Sequence, residues 1–210
     1  MYTAVQLGHP RCSYVRVFLL HCVVLRIRKL LGSVTFIGIL KNFSSDCKAI
    51  KDRGHRCEDG REPSVAFYFD NETEQCLSFL YEGCGGNTNR FPNIETCRIN
   101  CIPQDYGWCA MKGKAYEDNE SSTVICSGLA SEPCPEKYIC KHLAFFGICC
   151  PEKTEEMFAK NFNPSCKKGK LAKLDSGGFS IALLGKSCSD KFCPKSAECF
   201  QQEIFAYCCR

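Results

Sequence analysis

Apolar positions along this chain fall in short, separate runs. The two longest, Val17–Leu25 and Leu30–Leu40, lie near its start and are divided by Arg26, Arg28 and Lys29. Neither run reaches the roughly 20 residues that a membrane span needs. A basic cluster followed by a short apolar run fits a secretory leader, so residues 1–46 are expected to be a signal-like segment. Phe67, Tyr68 and Phe69 then favour a strand, Asp70-Asn71 signals a turn, and Leu77 to Tyr81 forms a second strand. Asn93, just after Pro92, suits a helix N-cap, and Glu95 suits the positive end of that helix. Cys97 and Cys101 are spaced to share one face of it. The pattern predicts a two-stranded hairpin followed by a helix too short to persist alone. Further on, Phe145, Phe146 and Ile148 precede one adjacent cysteine pair, and Ile204, Phe205 and Tyr207 precede another. Both sets are expected in cores, each on a strand leading to its Cys-Cys pair. The polar stretches 102–108 and 151–165 are expected to be linkers, the second with a helical turn at Glu155–Lys160.

Cysteine changes the picture. Eighteen of the 20 cysteines lie from Cys47 onward, a density typical of disulfide scaffolds. Such scaffolds are small because their apolar cores do not hold them alone. An even set of cysteines at this density points to an oxidising compartment, and so to a secreted, extracellular protein with no free thiol. The spacings of structural zinc sites are absent, so no metal or other cofactor is expected. The net charge of +4 is misleading, because residues 1–46 hold six basic residues and one acid. The remainder is nearly balanced, which argues against a nucleic-acid partner. The mild basic excess near Lys167, Lys168 and Lys170 reads as a solvated lysine face. No stable membrane insertion is expected once the leader is removed. No nucleophile–base pair, phosphate loop or metal motif stands out, so the chain does not read as an enzyme.

Cys76, Cys84, Cys97 and Cys101 are separated by 7, 12 and 3 residues. With Phe79, Tyr81, Gly83, Asn89 and Phe91, this run resembles the Kunitz (pancreatic trypsin inhibitor, BPTI-like) family over residues 47–101. The resemblance implies an α+β unit, a hairpin plus a short C-terminal helix. It also implies the pairs Cys47–Cys101, Cys57–Cys84 and Cys76–Cys97, which spacing alone leaves open among fifteen pairings. Inhibition in that family is carried by the loop around the second cysteine, here Arg56, Cys57, Glu58, Asp59, Gly60, Arg61, Glu62 and Pro63. A second contact loop would comprise Glu82, Gly83 and Gly85. The chain departs from the family in this region. Nine residues, not eight, separate Cys47 from Cys57, eighteen, not fifteen, separate Cys57 from Cys76, and Glu82 replaces a glycine. Counting from Cys57 puts Glu58 at the pocket position; counting back from Cys76 puts Arg61 there. A glutamate in an acidic trypsin-like pocket would be an unpaired like charge.

An internal repeat follows. Cys109, Cys126, Cys134, Cys140, Cys149 and Cys150 form one set, and Cys166, Cys188, Cys193, Cys199, Cys208 and Cys209 form the other. CPEKYICKHLAFFGICC and CPKSAECFQQEIFAYCC align without gaps. The repeats resemble lustrin-type cysteine-rich repeats, which implies an extracellular-matrix setting. The expected organisation is a small disulfide-rich multi-domain protein: leader 1–46, Kunitz-type domain 47–101, linker 102–108, cysteine-rich repeat 109–150, linker 151–165 and cysteine-rich repeat 166–209, the repeats mostly β or irregular. Sequons mark Asn42, Asn71 and Asn119, with Asn71 and Asn119 the candidate glycosylation sites. Two functions are compatible with this organisation. One is a secreted serine protease inhibitor acting through the loop after Cys57, with a serine protease as partner. The other is an extracellular-matrix structural or interaction module on the same scaffold, with a matrix protein as partner.

Overall fold

The computed structural model describes residues 47–102, 107–128 and 133–210. The leader, Asn42 and part of the 102–108 stretch lie outside the described residues. No helix among the described residues is long and apolar enough to cross a membrane. All eighteen cysteines from Cys47 onward are joined in nine disulfides.

Strand β1 (His55–Arg56) leads to a long hairpin, β2 (Ser64–Asp70) and β3 (Gln75–Tyr81), then β4 (Gly83–Cys84) and helix α1 (Ile94–Cys101). The hairpin register runs from Ser64 opposite Tyr81 to Asp70 opposite Gln75. Asn93 caps α1, its side chain accepting from the Thr96 amide at 2.8 Å. Disulfides Cys47–Cys101 and Cys76–Cys97 tie that helix down. Buried Asn89 completes the attachment. Its oxygen accepts from the Phe69 amide at 2.9 Å, and its amide donates to the carbonyls of Ala49 and Phe69.

The aromatic run at 67–69 does not alternate with polar residues because both faces of the hairpin are covered. Phe67, Phe69 and Cys76 pack with Phe91, Ile94 and Cys97 beneath α1. Ala66, Tyr68, Leu77 and Phe79 form the other face and pack against Leu184, Ile204 and Phe205 of the C-terminal repeat. The Ser78 hydroxyl donates to the Leu184 carbonyl across the same junction. Burial, then Asp70 and Asp190, push the Tyr68 phenol far above the ordinary tyrosine value. Ion pairs flank the junction: Lys51 with Asp190, and Lys186 with Glu72 at 2.8 Å.

The first repeat is a three-stranded sheet of β5 (Ile125–Ser127), β6 (Tyr138–His142) and β7 (Gly147–Pro151), with β7 central. Its disulfides are Cys109–Cys150, Cys126–Cys140 and Cys134–Cys149. Helix α2 (Glu152–Phe162) follows at once. Next come a hairpin, β8 (Lys173–Ser176) and β9 (Phe179–Ala182), and the strands β10 (Leu184–Gly185), β11 (Glu198–Gln201) and β12 (Ala206–Cys209). In the second sheet β12 is central. Its disulfides, Cys166–Cys209, Cys188–Cys199 and Cys193–Cys208, join the first cysteine to the sixth, second to fourth and third to fifth, as in the first sheet. The longer gap between Cys166 and Cys188 accommodates the β8–β9 hairpin.

Two expectations are corrected. Residues 151–165 are not a linker, since α2 occupies most of the stretch. Phe158 and Phe162 meet Phe205 at ring separations of 5.6 and 6.1 Å, and the buried Asn161 side chain accepts from the Ile204 amide at 3.1 Å. Most of the charges that suggested a linker lie on the outer side of an amphipathic helix, whereas Glu155 turns towards Lys141. Phe145 is not in a core but 78% exposed, whereas its counterpart Ile204 is 5% exposed. Ile204 lies beneath α2 and the β2–β3 hairpin, and Phe145 sits at a bend that no such element covers among the described residues.

Candidate functional site

The loop 56–63 leaves from a short ladder and returns into the long hairpin. At its start His55 pairs with Cys84 and Arg56 with Gly83, and the Cys57–Cys84 disulfide closes the neck. At its end Ser64 enters β2 opposite Tyr81. Between these anchors Glu58, Asp59, Gly60, Arg61 and Glu62 are exposed and Pro63 is half-buried. Glu58 and Asp59 form a turn, and Gly60 has φ +77°, a backbone state that glycine enters without strain. Six residues separate Cys57 from Ser64, three of them in the turn at Glu58–Gly60.

Arg61 is held locally. Its guanidinium donates to Asp59 Oδ2 at 2.7 Å and its amide to Asp59 Oδ1 at 3.1 Å. These hydrogen bonds, the side-chain one first, hold the Asp59 carboxyl below the usual aspartate range. The backbone of Arg61 crosses over Gly83. A Cβ at Gly83 would lie 3.0 Å from Cys57 Sγ and 3.2 Å from the Arg61 carbonyl, and its φ is +112°. A side chain at Gly83 would therefore push the loop outward.

The second contact loop is braced from below. Glu82 accepts from Arg53 at 2.8 Å and from Arg56 at 3.1 Å, one guanidinium on each carboxylate oxygen. Arg53 also donates to the Leu80 carbonyl and to that of Ser189, in the turn Cys188–Asp190 of the C-terminal repeat. Tyr81 and Arg90 both donate to the Gly85 carbonyl, with Arg90 stacked 3.9 Å from the Tyr81 ring centre. The structure thus brings Glu82, Gly83 and Gly85 beside the 56–63 loop. Sequence reasoning singled out Glu82 as a departure but missed its arginine clamp. The available signal was Arg56, one residue before Cys57, in a strand pairing with the segment next to Glu82.

The remaining candidates lie elsewhere. Asn119 is exposed in a turn, whereas half-buried Asn71 donates its amide to the Cys47 carbonyl at 2.9 Å. Cys126, Cys134 and Cys140 converge, but each is in a disulfide, so they offer no thiolate to a metal.

A disulfide-necked loop on a twisted hairpin with a C-terminal helix defines a Kunitz-type inhibitor domain. The Kunitz/bovine pancreatic trypsin inhibitor domain model matches residues 46–102, and the chain belongs to that family. It is 44% identical over 169 residues to the major allergen Ani s 1 of Anisakis simplex, covering 79% of this chain and 87% of that protein. It is 28% identical over 164 residues to a BPTI/Kunitz inhibitor domain-containing protein of Caenorhabditis elegans, covering 78% and 89%. The anticoagulant protein rhipilin-2 of Rhipicephalus haemaphysaloides is 58% identical over 36 residues, 17% of this chain and 18% of that protein. The first two matches are far longer than the Kunitz domain. No solved structure matches. The family is one of protease inhibitors, not enzymes.

Proposed function

We propose that this protein is a secreted Kunitz-type inhibitor that presents residues 56–63 to a serine protease. The observation that carries this reading is the loop's construction. It is exposed at its tip, while Cys57–Cys84, the β1–β4 ladder and the start of β2 fix both ends. A loop held before binding loses little entropy when bound. Arg61 is the better-supported pocket residue. It follows the turn at Glu58–Asp59 and lies three residues before β2 begins at Ser64, opposite Tyr81, which supports the count taken back from Cys76. Glu58 is the alternative, at the turn itself. Secretion is supported by the nine disulfides, and the matrix setting by the resemblance of the two cysteine-rich segments to lustrin-type repeats. The leader 1–46 and the division at 47–101, 109–150 and 166–209 belong to the same proposal.

The test is a panel of trypsin-, chymotrypsin- and elastase-like enzymes run against the native chain, Glu58→Lys and Arg61→Ala. Loss of inhibition in Arg61→Ala assigns Arg61. Gain of trypsin inhibition in Glu58→Lys, with Arg61→Ala silent, assigns Glu58 instead. If the native chain inhibits nothing and Glu58→Lys gains nothing, the inhibitor reading is wrong. A second reading, a matrix-binding module without inhibition, is favoured by the turn at Glu58–Asp59, because extended backbone rather than a turn is what adds to a sheet edge on a partner.

A further inference from the structure

The two cysteine-rich sheets share disulfide connectivity and strand order, so their faces can be compared position by position. Phe200 pairs with Tyr207 in the second sheet as Lys141 pairs with Ile148 in the first. Lys167 follows the first cysteine of the second set as Ala110 follows that of the first. In the first sheet these positions are covered. The carboxylate of Glu155, one turn into α2, accepts from the Ala110 amide and lies 3.3 Å from the Lys141 ammonium. Ile148, opposite Lys141, is fully buried in a cluster with Ala115, Ile125, Leu143 and Phe146.

In the second sheet no helix covers the equivalent face among the described residues. It opens instead as a groove of about 520 Å³. Phe200 and Tyr207 form its floor, stacked with ring centres 5.7 Å apart, and Phe200 is 37% exposed. Lys167, Lys168 and Arg210 line it, against one acid, Glu198. Its apolar floor and basic rim suit a segment that carries both carboxylates and apolar side chains, and Glu155 of α2 already docks a carboxylate at the equivalent place on the first sheet. We propose that this groove binds an acidic, amphipathic peptide segment of a partner protein, with a partner carboxylate taking the position that Glu155 holds on the first sheet. Apolar partner side chains would lie on the Phe200–Tyr207 pair, and Lys167 and Lys168 would pair with the acids. A sulfated glycan shares the charge but has less use for a stacked aromatic floor. The site is separate from the 56–63 loop, so the proposal holds whether or not the protein inhibits a protease.

The test uses the full chain and a fluorescein-labelled peptide of about twelve residues, glutamates interspersed with leucines, read by fluorescence anisotropy. Saturable binding that weakens as salt is raised is expected. The double substitution Lys167→Glu and Lys168→Glu should weaken it about tenfold or more. Phe200→Ala, which removes half of the apolar floor, should weaken it as well. Lys195→Glu, an exposed lysine outside the groove, should leave it unchanged. Unaltered thermal midpoints exclude misfolding as the cause. The proposal is overturned if the native chain shows no saturable binding, or if charge reversal at Lys167 and Lys168 has no effect. It is also overturned if heparin oligosaccharides bind at those lysines while the peptide does not.

Discussion

Asp59 and Arg61 interact within a two-residue span, and that contact competes with any use of Arg61 by a protease. To enter an acidic pocket the guanidinium must leave Asp59, trading one carboxylate for another. Asp59→Asn keeps the turn-forming side chain and removes the charge. If Arg61 is the pocket residue, Asp59→Asn should strengthen trypsin inhibition several-fold, about the effect of an exposed ion pair; an unchanged inhibition constant argues against that register. Because the Asp59 value is lowered, the pair is intact above the ordinary aspartate value and is lost as pH falls through the lowered one. Glu74 behaves in the opposite sense. Burial raises its carboxyl, and Lys112 and Lys141 only partly offset this. The folded chain then holds a proton that the unfolded chain has released, so the associated stability is present at low pH and is lost as pH rises through the raised value. Glu74→Gln should be more stable than the native chain at neutral pH, and the difference should vanish in acid below the ordinary glutamate value. Urea melts at pH 7 and pH 4 measure it, and an equal difference at both pH values counts against the assignment. Gly83 is a third sensitive position. Gly83→Ala meets a disulfide sulfur, a carbonyl and an unfavourable φ together, so the loop should shift and any inhibition weaken without loss of the fold, as read by inhibition constant alongside circular dichroism.

Helix α2 shows how far elements could be read from the sequence. The β2–β3 hairpin and α1 were legible from Phe67–Phe69, Asp70-Asn71, Asn93 and the i, i+4 cysteines, because each signal is local. The Cys57–Cys84 pair came from family resemblance, since spacing alone cannot choose among pairings. The helix at Glu152–Phe162 was only partly legible. A turn at Glu155–Lys160 was visible, but Met157, Phe158 and Phe162 gave a narrow stripe among charges, and the residue they pack on, Phe205, lies more than forty positions away. The arginine clamp on Glu82 was hidden for the same reason, since Arg53 and Glu82 meet only once the chain has folded. The burial of Ile204 and exposure of Phe145 likewise differ by tertiary environment, not by local pattern. Phe205 is the point where α2, the hairpin and the second sheet converge. Phe205→Ala should lower stability by about 3–5 kcal/mol, as for a fully buried aromatic. The equivalent change at exposed Phe145 should cost under about 0.5 kcal/mol. Similar losses at the two sites in denaturant melts would contradict the burial described.

At the scale of the whole molecule, covalent and noncovalent organisation differ. Among the described residues every disulfide closes within 47–101, 109–150 or 166–209, and none joins two of these segments. The apolar core does not respect those limits. Ala66, Tyr68, Leu77 and Phe79 are buried against Leu184, Ile204 and Phe205, and Lys51–Asp190, Lys186–Glu72 and Arg53–Ser189 border the contact. Removing the C-terminal repeat would return a continuous aromatic face to water, at a cost that scales with its apolar area. The Kunitz domain and the second sheet should therefore stay together after the chain between them is cut. Proteolysis of the native protein should spare 152–162, because Lys153, Glu155 and Lys160 lie on a packed helix, and cleavage there first, seen by mass spectrometry, would contradict that packing. A protease site engineered into 102–108 gives the sharper test. After cleavage the two fragments should elute together in native gel filtration and run as two bands on a non-reducing denaturing gel. Leu184→Asp, which places a charge against Leu77 and Phe79, should release the Kunitz fragment under native conditions. Release of that fragment from the otherwise native chain would show that the shared core does not hold the domains together. A single band before reduction would instead show a disulfide between the segments and contradict the pairing.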